Sequence, residues 1–293
     1  MTSKFNKKSL DYKEQIELLK LRGLIIEDES ESAEFLKYIN YYRLSSYMRH
    51  YQIDKDHKFK DGTCFSDITN LYCFDRDLKA LTFKYIKRIE IALRATVSHH
   101  MTTSYGSHWF YDDANYIDPL KKIALVFLIK GAIEHNGRYK DTFIKYYYEK
   151  YHEPDLPPFW MVVETLSLGD LSKILTMLKD SDGKQISKNF GTQFILLKSW
   201  IHALTPVRNI SAHHSRLWNR RFKIKPKECK KFKCYHDDYA EESFYAQAII
   251  IYVLMKSIEP SNTFEKELQD LFKSYEINSN KMGFPQEWIG FSL

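Results

Sequence analysis

The segment TPVRNISAHHSRLW, residues 205–218, carries the clearest local signals for fold and function. Thr205 followed by Pro206 is typical of a helix start, because a hydroxyl caps the first turn and proline is tolerated at the first helical position. At 100° per residue, four apolar side chains then share one face: Val207, Ile210, Leu217 and Trp218. Together with the preceding apolar run, this pattern predicts two helices, 194–204 and 206–218, joined by a short turn.

The rest of the chain has the same helical character. Only 10 glycines and 8 prolines occur in 293 residues, and only residues 221–225 alternate in the way expected of a strand. Hydrophobic periodicity and helix-stop signals predict further helices over residues 11–24, 32–46, 65–101 in two pieces, 121–134, 159–168, 246–255 and 263–275. In this interpretation Gly169 ends one helix and Asp170 caps the next. The fold class predicted is all-α.

Three regions follow from the order of these helices. Residues 1–64 form an N-terminal helical region, residues 65–258 a helical core, and residues 259–293 a last helix and tail that pack on the core. We expect the three regions to make one compact unit.

Composition indicates the cellular compartment of the protein more clearly than its activity. The net charge is +6 and the isoelectric point is about 8.8, which permits a polyanionic partner without requiring one. Four cysteines in a chain of this length fit a reducing compartment. The N-terminus lacks an apolar leader, and the most apolar run, residues 246–255, is about half the length of a membrane span. These features predict a cytoplasmic protein that does not enter a membrane.

Arg208 is the first candidate for chemistry. In the predicted first turn of a helix, free backbone N–H groups and the helix dipole favour an anion, and a guanidinium adds a bidentate contact to phosphate. Asn209 lies four residues before His213 and can orient its imidazole. Arg208 points about 140° away from His213, so a site that uses both needs a long reach, a distorted first turn or a second copy of the motif.

An arginine and a histidine can cleave RNA without a metal ion or another cofactor. The nucleophile is the 2′-hydroxyl of the RNA, a histidine transfers the proton, and an arginine stabilises the pentacoordinate phosphate. The product carries a cyclic phosphate, and DNA cannot react in this way. Neither a metal nor a cofactor is therefore expected.

The spacing of Arg208 and His213 is weak evidence alone. With 11 arginines and 11 histidines in the chain, chance supplies roughly 0.4 matches, and Arg94 with His99 is a second match. Ile86, Ile89, Leu93 and Val97 form the predicted buried face of the helix that carries this second pair. The pair is disfavoured as a half-site, because His99 falls nearly opposite that face and Glu90 is ideally spaced to pair with Arg94. Glu90 also leans toward the apolar face, where it can instead hold a catalytic arginine across the bundle.

Several segments together are far more specific. These are EQIELLKLRGL at 14–24, INYYRLS at 39–45, RIEIALR at 88–94, LPPFWM at 156–161, the hallmark at 208–219 and MGFP at 282–285. They resemble the Abi-like family, the AbiD and AbiF group of phage abortive-infection proteins, over nearly the whole chain.

The resemblance implies a HEPN-type helical bundle with additional N- and C-terminal helices. It places Arg208, Asn209 and His213 in the catalytic motif of HEPN ribonucleases, with His214 and Glu90 as possible support. Such motifs usually face each other in pairs, either across a dimer or between two domains of one chain, and the resemblance leads us to expect a homodimer. It also suggests a structured non-coding RNA as a partner.

A basic run follows the motif and is the candidate RNA-binding surface. It comprises Arg216, Arg220, Arg221, Lys223, Lys225 and further lysines up to Lys233, with Trp218, Phe222 and Phe232 available to stack on bases. His214 is expected to be a core histidine. Cys229, Cys234 and His236 could suggest zinc, but a fourth ligand is missing.

Three functions remain open from the sequence. The first is a metal-independent endoribonuclease in phage defence. The second is a catalytically inert protein that holds a partner RNA on the basic run. The third, a protein that only binds a phage component, has no feature of the sequence in its favour.

Overall fold

The computed structural model describes residues 8–116, 118–135, 142–229 and 241–291. Within these residues the chain forms twelve α-helices and no strand, which confirms the predicted fold class. The helices are α1 (Tyr12–Leu21), α2 (Glu29–Ile39), α3 (Tyr41–Met48), α4 (Phe65–Tyr105), α5 (Pro119–His135), α6 (Thr142–Lys150), α7 (Phe159–Thr165), α8 (Leu168–Met177), α9 (Asp180–Lys188), α10 (Phe194–Ala212), α11 (Phe244–Ile258) and α12 (Phe264–Ser274). Short 3₁₀ turns cover Arg49–Tyr51, Trp109–Tyr111, Asp113–Asn115 and Ser279–Met282.

Two predicted helix boundaries are wrong, each for a local reason, and the predicted strand is absent from the described residues. Helix α4 is one piece, because neither glycine nor proline interrupts residues 65–105. The predicted helix over 32–46 is two helices, because Asn40 adopts a left-handed φ of 55° between them. Residues 221–225 lie outside helices and strands.

The start of α8 also differs from the prediction. Ser167, and not Asp170, is the N-cap. The hydroxyl of Ser167 accepts from the backbone N–H of Asp170, and the carboxylate of Asp170 accepts from the backbone N–H of Ser167. Gly169 therefore lies inside the helix and does not end one. A Cβ at Gly169 would stand 3.4 Å from the Thr205 methyl group, an ordinary van der Waals distance.

The chain divides into two compact units. The first comprises residues 8–78 and 270–278 of the described chain. Its core includes Leu19, Leu36 and Phe74, which are almost fully buried. The buried carboxylate of Asp75 accepts a 2.6 Å hydrogen bond from the hydroxyl of Tyr47.

The second unit comprises residues 79–269 and 279–291 of the described chain. Helix α10 packs on α8, α9 and α11, and α5 packs on α7 and α8. Residues 244–255 of α11 are all buried, which confirms the buried helix predicted at 246–255. In the part of the chain that the structure describes, no helix combines the length and apolar character needed to cross a membrane.

Candidate active site

Helix α10 carries the central motif, and it is one continuous helix with Pro206 in its interior. The predicted pair of helices is therefore wrong. The Thr205 hydroxyl does not cap a new helix but donates a 2.9 Å hydrogen bond to the carbonyl of Ile201, one turn earlier. Proline removes one backbone hydrogen bond, yet packing on three neighbouring helices keeps the helix intact.

Arg208 consequently lies near the C-terminal end of α10, and not in a first turn. The predicted cradle of free backbone N–H groups does not exist there. The carbonyl end of a helix favours a cation, so the guanidinium is compatible with its position. Any phosphate contact at this site must come from side chains.

A buried carboxylate from α4 holds Arg208. The Nε atom of Arg208 is buried and lies 3.4 Å from Glu90 Oε2. The two groups form an ion pair, but their geometry is not that of a hydrogen bond. The guanidinium carbon lies 5.7 Å from the centre of the Phe83 ring. The side chain of Arg208 is still 27% exposed, and its terminal nitrogens donate no hydrogen bond to any described residue.

Glu90 is shared between two arginines. Its side chain is 8% exposed, and Oε1 accepts a 2.5 Å hydrogen bond from Arg94 Nη2. Arg94 also donates to the carbonyl of Leu166 at 2.6 Å and lies 3.6 Å from Glu164. The ion pair predicted between Glu90 and Arg94 is confirmed, as is the reach of Glu90 to an arginine across the bundle.

These contacts give Arg94 a structural task. Its guanidinium joins α4 to the end of α7, while His99 is exposed. The buried face predicted for α4 is confirmed, with Ile86, Ile89 and Leu93 all 0% exposed. The arrangement supports the interpretation that Arg94 and His99 are not a second half-site.

His213 ends the helix. It is the C-cap of α10, and its backbone N–H donates to the carbonyl of Asn209 at 2.9 Å. Both side chains are exposed. Among the described residues, no hydrogen bond joins the side chains of Asn209 and His213, and no contact joins His213 to Arg208.

His214 is exposed, so its predicted place in the core is wrong. The helix has already ended at Ala212, and His214 adopts a left-handed φ of 61°. A helical wheel therefore does not describe its direction. Val207, Ile210, Leu217 and Trp218 are all buried, as predicted, but only Val207 and Ile210 lie on the helix, so the single helical face predicted for the four is wrong.

The basic run offers less free charge and less stacking surface than its sequence predicts. Trp218 and Phe222 are buried, so their predicted stacking on bases is wrong; Phe232, with Lys230, Lys231 and Lys233, lies outside the described residues. Arg220 and Lys223 are exposed. The guanidinium of Arg216 lies 5.9 Å from the Trp218 ring.

Two acidic residues that follow the run in sequence partly neutralise it. Lys225 lies 3.2 Å from Glu242 and 3.5 Å from Glu241, and Arg221 lies 3.5 Å from Glu242. The backbone N–H of Phe222 donates to the carbonyl of Glu242 and holds this region together. The carboxylate of Glu242, which accepts from the ammonium group, raises the pKa of Lys225 above its ordinary value. No local pattern predicts this pairing, since the carboxylates lie 16 to 21 residues further along the sequence.

The candidate zinc ligands cannot be compared as a set. Cys229 is half-buried, whereas Cys234 and His236 lie outside the described residues. Within the described ranges, no group of three or more histidine, cysteine, aspartate or glutamate side chains could hold a metal ion.

Comparison with known proteins agrees with the motifs. The sequence pattern of the Abi-like protein family matches residues 34–219, which is more than half of the chain and includes Glu90, Arg208 and His213. The chain belongs to the Abi-like protein family. No curated protein and no solved structure matches it.

Proposed function

We propose that this protein is a metal-independent endoribonuclease of phage defence, with a HEPN-type site formed by Arg208 and His213. The observation that carries the proposal is the buried carboxylate of Glu90, which fixes a partly exposed Arg208 close to the helix end that presents His213. A purely structural arginine would be expected to direct its terminal nitrogens to protein acceptors, as Arg94 does. Arg208 keeps its terminal nitrogens available for an anion.

The reaction needs only these side chains and the RNA. The 2′-oxygen attacks the adjacent phosphorus, the bond to the 5′-oxygen of the next nucleotide breaks, and a 2′,3′-cyclic phosphate and a 5′-hydroxyl result. Arg208 stabilises the charge on the phosphoryl oxygens, and His213 transfers the proton. No hydrogen bond joins the side chains of Asn209 and His213 in the described chain, so the proposed role of Asn209 is to orient the imidazole once RNA is bound.

A second copy of the chain completes the site. The helical period directs Arg208 and His213 about 140° apart, and no contact joins them within the described chain. Two copies that meet at the ends of α10 can place Arg208 of one beside His213 of the other. We therefore propose a homodimer as the active form.

Mixing two inactive variants tests the shared site. Arg208→Ala protein and His213→Ala protein are each expected to be inactive, because each lacks one side chain of the pair. After subunit exchange, the mixture should recover measurable cleavage, since a mixed dimer keeps one arginine and one histidine that can face each other. A mixture that exchanges subunits but stays inactive would contradict the shared site.

Family membership supports the biological role. Abi-like proteins take their name from abortive infection, and cleavage of RNA in an infected cell is a direct way to stop phage growth. The test of the activity is incubation of the purified protein with labelled single-stranded RNA and with DNA of the same sequence, both in EDTA. We expect the RNA to be shortened and the DNA to stay intact.

A catalytically inert RNA-binding protein is the second candidate. The exposed Arg220 and Lys223 favour it, because they can contact phosphates whether or not the chain cleaves RNA. Tight RNA binding by the wild type, with no cleavage even when phage components are added, would favour this candidate. The bound RNA would then be a structured partner and not a substrate.

The ion pairs in the basic run predict which charges matter for RNA. Replacing Arg220 and Lys223 together with glutamine should lower the salt dependence of binding to single-stranded RNA by about 1.4 logarithmic units per decade of salt, if each contacts one phosphate. The matched pair, Arg221→Gln with Lys225→Gln, should have a smaller effect, because Glu241 and Glu242 already engage those charges. Fluorescence anisotropy at several salt concentrations measures both. Equal effects would contradict the predicted ranking.

A further inference from the structure

We propose that an open groove between α8 and α10 binds the phosphodiester backbone of single-stranded RNA on one side of the bond that is cleaved. This inference rests on the proposed function, because it assigns a second contact to the same substrate. The groove lies wholly within the second unit.

The groove has the size and lining of a strand-binding site. Its volume is about 600 Å³, which suits a nucleotide or two. Its lining contains three lysines, one histidine and four hydroxyl groups, and no acidic side chain: Lys173, Lys198, Lys227, His202, Ser172, Thr176, Ser199 and Thr205, with Gly169 and Ile195. The hydroxyls of Thr176 and Thr205 already donate to the carbonyls of Lys173 and Ile201. The ammonium groups are therefore the side chains that would contact phosphate.

The lysine charges are available for phosphates. Lys173 lies 3.7 Å from Asp170, and Lys198 lies 3.8 Å from Asp180. These long pairs at the surface contribute little to stability and can be exchanged for a phosphate. Lys227 is exposed and forms no ion pair with a described residue.

The position of Lys227 is fixed by its backbone. Its N–H donates a 2.7 Å hydrogen bond to the hydroxyl of Ser199, and its carbonyl accepts a 2.9 Å bond from the indole N–H of Trp200. These bonds hold this part of the basic run against α10. The side chain of Lys227 takes no part in them, so it can be replaced without removing the anchor.

The groove continues toward the proposed catalytic histidine along one stripe of α10. His202, Asn209 and His213 all point within about 20° of one direction on the helix, and all three are exposed. His202 and His213 are eleven residues apart, or about 16 Å along the axis. A strand that crosses His213 and follows this stripe therefore reaches the lysines of the groove within a few nucleotides.

The test is RNA binding by variants that cannot cleave. In the His213→Ala protein, Lys173→Gln combined with Lys227→Gln should lower the salt dependence of binding to a labelled 20-nucleotide RNA by about 1.4 logarithmic units per decade, and should weaken binding about tenfold at low salt. The matched control is Lys145→Gln with Lys266→Gln, two exposed lysines of the same unit that do not line the groove. The control should leave the salt dependence of binding unchanged and the affinity at low salt within about twofold.

The outcomes separate this inference from the proposed nuclease. An unchanged salt dependence in the groove variant, with an unchanged melting temperature, overturns the groove as an RNA site even if the wild type cleaves RNA. Displacement of the RNA by an equal concentration of a glutamate-rich peptide also overturns it, since the groove would then prefer an acidic protein. Weaker binding in the groove variant supports it even if the wild type never cleaves, in which case only the nuclease proposal fails. Lys227→Gln alone serves as the second variant should the double variant unfold.

Discussion

Replacing His213 with alanine is expected to slow RNA cleavage by at least about 100-fold, because the reaction loses the group that transfers the proton. RNA affinity should stay within about twofold of the wild type. His213 lies on the surface, and its hydrogen bond to Asn209 is made by the backbone, so the replacement leaves that bond in place. The measurement is the single-turnover cleavage rate of a labelled RNA in EDTA, with affinity measured on an RNA that cannot be cleaved.

His99→Ala is the matched control for this change. His99 is also exposed and also follows an arginine, Arg94, by five residues. The guanidinium of Arg94, however, donates hydrogen bonds to Glu90 and to the carbonyl of Leu166. Its cleavage rate should remain within about threefold of the wild type. If both variants lose activity equally, the second motif is a half-site after all; if neither does, His213 does not transfer the proton.

Replacing Glu90 with glutamine should have the second-largest effect. A neutral amide keeps the size of the side chain but leaves Arg94 and Arg208 without their shared negative charge, so Arg208 loses its fixed position. We expect kcat to fall about 10- to 100-fold, with little change in KM. The free energy of unfolding should fall by about 1–3 kcal/mol, because two partly buried cations lose their partner.

Two comparisons separate positioning from general damage. Glu164→Gln removes a carboxylate that contacts the same network at 3.6 Å but is 57% exposed, and it should leave both kcat and the melting temperature nearly unchanged. Combining Glu90→Gln with Arg208→Lys should cost less activity than the sum of the two single changes, since both act on one guanidinium. Additive losses would mean that Glu90 stabilises the fold without positioning Arg208.

Periodicity predicted the parts of the structure that packing decides. The buried face of α4 and the buried helix α11 follow directly from apolar spacing, because a helix in a bundle must cover its apolar stripe. An ion pair between Glu90 and an arginine of another helix could also be predicted from the sequence. A carboxylate that turns toward the apolar face needs a cationic partner from another helix.

Features that depend on tertiary contacts could not be predicted in the same way. Thr205 and Pro206 have the local pattern of a helix start, yet packing on α8, α9 and α11 carries the helix through them. The error for His214 has a separate cause, because the predicted helix continues to Trp218 whereas α10 ends at Ala212. The neutralising role of Glu242 depends on a backbone contact with Phe222 across twenty residues, which no local pattern shows.

The measurement that tests the central claim most directly uses one RNA in two forms in EDTA. The first is all ribose, and the second carries a single 2′-deoxynucleotide immediately before the cleaved bond. Nuclease action through Arg208 and His213 predicts cleavage of the first with a 2′,3′-cyclic phosphate end, identified by mass spectrometry, and no cleavage of the second at that bond. Cleavage of both forms at the same bond would contradict it, because the nucleophile would then not be the 2′-hydroxyl of the RNA.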